Sequence, residues 1–97
     1  MGHTINLAIQ VIPKSLKHDQ YSLVDAAIEA IQQTGLKYEV CPFETVIEGE
    51  YGETMKAVKN AWTACFKAGA EEVLVNLKFQ IRKGGDVTIE AKTGKYR

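Results

Sequence analysis

The sequence predicts an α+β domain in which a four-stranded antiparallel sheet carries two helices on one face and is followed by a short C-terminal helix. Three observations lead there. Apolar residues repeat with a period of two or of 3.6 in the order strand, helix, strand, strand, helix, strand. A strand–helix–glycine–strand unit occurs twice, weakly repeated, and right-handed crossovers in both halves place both helices on the same side. The chain's 97 residues are enough for one core and too few for two, so residues 1–97 read as a single domain.

Residues 4–12 alternate, with Ile5, Leu7, Ile9 and Val11 on one side and Asn6, Ala8 and Gln10 on the other; Pro13 is expected to end this strand. Residues 14–20 are polar and loop-like, and His18 within them reads as solvated. Ser22 with Asp25 resembles a capping box before a helix whose apolar face is Leu23, Val24, Ala27, Ile28 and Ile31. Thr34-Gly35 stops it. A strand from Leu36 to Val40 is broken by Pro42, and β-branched Thr45, Val46 and Ile47 open the next strand, which stops before Gly49 and Gly52. The second helix is expected from about Glu53 to Lys67, with Met55, Val58, Ala61, Trp62, Cys65 and Phe66 facing the core. Residues 73–81 form the last strand, with Asn76, Lys78 and Gln80 on its polar side. After the turn Arg82–Asp86, Thr88 is placed to cap a short helix over 89–96; a short strand over 86–89 is the alternative.

This is the ferredoxin-like split βαβ plan. The expectation is that the first and last strands lie side by side at the centre of the sheet. Asn6, Ala8, Gln10, Asn76, Lys78 and Gln80 then form a polar patch on the helix-free face, which Glu48 joins from the third strand because alternation points it the same way as Val46. Glu48 reads either as a solvated carboxylate or as one that faces a ligand. A face of small neutral polar groups is either wet or paired.

Composition narrows the function. Twelve Lys and Arg balance twelve Asp and Glu, so no basic field holds a phosphate backbone, and nucleic acid is disfavoured as a partner. No apolar run approaches a membrane span, no signal peptide precedes the first strand, and Met1-Gly2 does not continue as a myristoylation signal. Cys41 and Cys65 lack the spacing of a zinc site or a disulfide framework and read as reduced thiols in a cytoplasmic protein. No nucleophile–base pair, Gly-rich phosphate loop, Cys-x-x-Cys after the first strand, or arginine in the loop that follows it is present. The open face lacks the aromatics that an RNA-recognition domain of this fold needs. These absences favour binding over catalysis.

The segment Pro42-x-x-Thr45-x-x-Glu48-Gly49, preceded by Gly35-Leu36-Lys37-Tyr38-Glu39 and followed by a helix ending Ala68-Gly69-Ala70, resembles the small thiamine/hydroxymethylpyrimidine-binding proteins. The likeness runs through the closing Lys95-Tyr96-Arg97. It implies a cytoplasmic, non-catalytic binder of thiamine or its pyrimidine moiety, with no required cofactor, assembled as homodimers or homotetramers through the sheets. Glu44 departs from the pattern, since many members carry a small residue before the Thr.

The residues suit an aminopyrimidine. Glu48 can accept from the exocyclic amine, and Thr45, Gln10 and Asn76 offer further donors and acceptors. Thr45 has the wrong strand parity for the Glu48 face unless a bulge re-aims it, and otherwise reads as a plain β-former. Tyr38 or Phe43 offers a ring to stack on, each otherwise an ordinary strand aromatic. Lys78 either touches ligand or neutralises Glu48 across the sheet.

Overall fold

The structure, a computed structural model, describes residues 3–97; Met1 and Gly2, weighed above for acylation, lie outside it. The elements are β1 (Ile5–Lys14), α1 (Gln20–Gln33), β2 (Lys37–Val40), β3 (Thr45–Gly49), α2 (Tyr51–Lys67), β4 (Glu72–Gln80) and α3 (Ile89–Thr93), with a 3₁₀ turn over Gly94–Tyr96. The sheet is antiparallel throughout, in the order β2-β3-β1-β4. This is the expected βαββαβ plan with one correction. The first and last strands are neighbours, but the central pair is β1 and β3, and β4 is an edge. The tight turn from Cys41 to Glu44, closed by Cys41 N–H donating to Glu44 O at 2.9 Å, forces β3 beside β2. The first crossover therefore spans β3, which fills the slot next to β1.

The helix-side core follows from alternation in the strands and helical spacing above them. Leu7 and Ile9 of β1 and Ile47 of β3 meet Leu23, Ala27 and Ile31 of α1 and Ala57, Val58, Ala61 and Cys65 of α2. The α2 stripe is narrower than its sequence suggests. Thr54 and Ala57 are fully buried, Met55 and Trp62 pack at its margin, and Phe66 is exposed rather than in the core.

Boundaries shifted where local hydrogen bonding overrode the pattern. Asp19, not Ser22, caps α1: its carboxylate accepts from Ser22 N–H, and the Ser22 hydroxyl donates to Asp19 O. The strand β1 runs through Pro13 because its pairing with β3 ends at Ile9, leaving only β4 as a neighbour there, and a missing N–H is tolerated on a strand with one free side. Gly35 and Gly69 adopt φ of 77° and 117° just past α1 and α2, a conformation that favours glycine. The expected C-terminal helix is present as α3 with Thr88 as its N-cap, and it tightens into the 3₁₀ turn at Gly94.

Candidate functional site

Strand register lays out the helix-free face in rows. Gln80, Asn6, Glu48 and Lys37 form one row across β4, β1, β3 and β2; Lys78, Ala8, Val46 and Glu39 form the next; Asn76 and Gln10 begin a third. Asn6 and Glu48 occupy the two central strands, where a side chain has neighbours on both sides. Ala8 sits between Lys78 and Val46 and has the smallest side chain of its row.

The C-terminal segment lies across the first row and is tied to all four strands. Val87 N–H donates to Thr4 O at 2.9 Å, and the Asn6 Nδ2–H donates back to Val87 O at 3.1 Å. Ile89 N–H donates to Glu48 Oε1 at 2.6 Å. Lys92 Nζ donates to Gln80 Oε1 at 2.8 Å, and Arg97 pairs with Glu39 at 2.5 Å. Val87 and Ile89 are buried beneath this strap, so it contributes apolar packing as well as polar ties. From the sequence this segment is expected only as a turn and a short capped helix, with no contact to the open face. The signal for it was the alternation in Asp86-Val87-Thr88-Ile89, which gives two apolar residues no place on a free terminus.

The strap places Glu48 half-buried with its carboxylate engaged by main chain, and leaves Asn6 4% exposed. The Asn6 amide is only half satisfied. Its nitrogen bonds Val87 O, while its Oδ1 is buried without a partner. Buried polar atoms nearly always find one, so this oxygen stands out.

The remaining candidates divide by face. Gln10, Asn76 and Lys78 lie on the open side with Glu48, and Asn76 Nδ2 donates to Gln10 Oε1 at 3.2 Å. Lys78 does not neutralise Glu48. It reaches over β1 to Glu44 at 3.0 Å, so the departure at Glu44 is an ion pair that spans β1. Thr45 is buried on the helix side, opposite Ile9, and no bulge re-aims it. Tyr38 pairs with Ile47 and packs against the core on that same side. Phe43 is 83% exposed in the β2–β3 turn. The structure thus brings together Glu48, Gln10, Asn76 and Lys78, separates Thr45, Tyr38 and Phe43 from them, and adds Asn6.

A concavity of about 660 Å³ lies elsewhere, in the groove between α1 and α2 lined by Ala26, Glu29, Ala30, Asn60, Thr63 and Ala64. Small residues facing one another there allow close helix packing and leave a wide shallow trough. It holds no buried orphan group, and its carboxylate, Glu29, is exposed and bonded only to the Gln33 side chain at 3.5 Å, so the open sheet face is the better candidate. Among the described residues, no cluster of three His, Cys, Asp or Glu side chains is placed to hold a metal ion, and no helix is long and apolar enough to cross a membrane.

Residues 7–97 match the family model described as thiamine-binding protein. A UPF0045 protein of Clostridium perfringens is 39% identical over 94 residues, covering 97% of this chain and 98% of its own. The structure of a domain of unknown function, DUF77, from Bacillus cereus superposes with a TM-score of 0.95 at 43% identity, covering all of this chain and 93% of that one. A candidate thiamine biosynthesis/salvage protein of Thermotoga maritima superposes with a TM-score of 0.85 at 35% identity, over 97% of this chain and 99% of that one.

Proposed function

The chain belongs to the thiamine-binding protein family, and from that premise we propose that it binds thiamine or its hydroxymethylpyrimidine moiety on the open sheet face, without catalysing a reaction and with no cofactor. The observation that carries this reading is Glu48, a half-buried carboxylate at the centre of that face, held by the main chain of a strap rather than by a cation. Its charge is available to an N–H donor. The exocyclic amine of an aminopyrimidine is such a donor, and a charge-assisted bond of this kind is worth roughly 1.5–3 kcal/mol when water is excluded. Beside Glu48, Gln10 and Asn76 offer further polar partners, and Lys78, which crosses β1 to Glu44, bounds that side of the face. The similarity to a Thermotoga maritima protein assigned provisionally to thiamine biosynthesis or salvage supports the same ligand class.

The protein works as a homodimer or homotetramer in the cytoplasm. The edge strand β4 spans nine residues and exposes Leu74, with Phe79 and Ile81 at its end, a surface that a second subunit would cover. Both cysteines are unpaired, as a reducing compartment keeps them. That same edge favours a second reading, in which the chain is a regulatory or structural oligomerisation domain with no vitamin ligand.

Calorimetric titration of thiamine, and separately of hydroxymethylpyrimidine, into the purified protein decides between them. Saturable binding of one molecule per chain is expected. An assembly stable in sedimentation that gives neither heat nor a thermal shift at millimolar ligand removes the vitamin reading and leaves the second.

A further inference from the structure

Asn6 is the one described residue with a buried side-chain polar atom that lacks a partner, and it is the cross-strand neighbour of Glu48. We propose that Asn6 and Glu48 form a joint receptor for the amino edge of the pyrimidine, and that the ligand reaches it by lifting the Val87–Ile89 main chain off the sheet. The inference rests on the vitamin-binding reading of this face and names the group that reads the amine.

The present contacts of both residues are those of a placeholder. Ile89 N–H gives Glu48 the bond that one amine hydrogen would give, and Val87 O occupies the Asn6 nitrogen. With that nitrogen committed, the carboxamide is fixed with Oδ1 free, an acceptor awaiting a donor. Once the strap lifts, Asn6 offers an acceptor and a donor side by side, the complement of an amine next to a ring nitrogen, as when an asparagine grips the equivalent edge of adenine. Glu48 then takes the second amine hydrogen. The spacing agrees. Two hydrogen bonds of about 2.9 Å diverging at roughly 120° from one nitrogen put their acceptors about 5 Å apart. Cross-strand side chains start about 4.5–5.5 Å apart at Cβ. The strap's outer ties, Lys92 to Gln80 and Arg97 to Glu39, are exposed side-chain contacts that give way readily, while the buried Val87 and Ile89 side chains set the cost of lifting it.

The test compares thiamine with its oxo analogue, in which a carbonyl replaces the amino group, on wild-type protein and on Asn6→Leu, which keeps the volume, and Asn6→Ser. Wild type is expected to prefer the amine by at least about tenfold. Both variants are expected to bring that preference down to about threefold or less, the lost affinity falling on thiamine rather than on the analogue. A merely structural role for Asn6 weakens both ligands alike and leaves the ratio unchanged, which overturns the proposal. A readout on unaltered protein stands beside this, in case the variants misfold. Saturating thiamine is expected to speed hydrogen exchange at the Ile89 amide, and an amide that stays equally protected overturns the strap displacement. If wild type binds neither compound, the vitamin reading falls and takes this inference with it; if it binds both without regard to the amine, only the inference falls.

Discussion

Replacing Glu48 by Gln probes the strap and the site together. Gln keeps the length and an acceptor oxygen for Ile89 N–H, now 2.6 Å from Glu48 Oε1, and removes only the charge. A hydrogen bond to a charged group is worth about 1.5–3 kcal/mol and one between neutral groups about 0.5–1.5, so the strap loses roughly 1 kcal/mol of anchoring. For a domain of this size that corresponds to a drop of about 4–8 °C in Tm. The ligand's bond to position 48 falls from the charged to the neutral range in the same way, a loss of roughly 1 kcal/mol, and displacing the weaker strap returns about as much. The two offset, so the Kd for thiamine should stay within about threefold of wild type. Thermal melting followed by circular dichroism reads the first number and calorimetry reads the second. A Tm within a degree of wild type refutes the energetic role of the Glu48–Ile89 bond. A lowered Tm with a Kd raised about fivefold or more would mean that the ligand does not displace the strap.

Other consequences are as concrete. Val87 is 1% exposed beneath the strap, so Val87→Ala should cost about 1.5–3 kcal/mol in urea unfolding; a loss under about 0.5 would mean the strap is not packed. Lys78→Ala breaks a pair whose lysine is 73% exposed, and stability should change by less than about 1 kcal/mol; a larger loss would make that pair structural. Burial pushes the Cys65 thiol up, and Cys41 is only half-buried, so a thiol-specific disulfide reagent should titrate one cysteine in native protein and the second only in denaturant. The raised value also fixes a sign: stability tied to the neutral Cys65 thiol is complete below the ordinary thiol range and is lost as pH rises through the folded-state value. Two rapidly reacting thiols in native protein would contradict the buried position of Cys65.

The architecture was legible because period and turn chemistry agreed over every long element. Alternation in β1, Pro42 between two strands and the glycines closing both helices each admit one reading. Strand order at the centre was missed because periodicity assigns faces and not neighbours; only the short Cys41–Glu44 turn, which ties β3 to β2, carried that information. The site was partly legible for the same reason. Parity put Glu48, Gln10, Asn76 and Lys78 on one face and set Thr45 against them. What parity does not encode is the third dimension above the sheet. Lys78 chose Glu44 over Glu48 because Ala8 leaves room to reach across β1, and the strap covers Asn6 and Glu48 through backbone bonds that no side-chain pattern announces. Asn6 read as one polar residue among several. Only its burial under Val87, with an oxygen left over, distinguishes it from Gln10.

The central claim is that ligand binds on the uncovered side of the sheet, against Glu48 and its neighbours, and amide chemical-shift mapping during a thiamine titration tests it most directly. The account predicts the largest shifts at Asn6, Ala8, Glu48 and Ile89, with the helix groove unmoved. Shifts gathered instead at Ala30, Asn60 and Ala64 would place the ligand between α1 and α2 and contradict it.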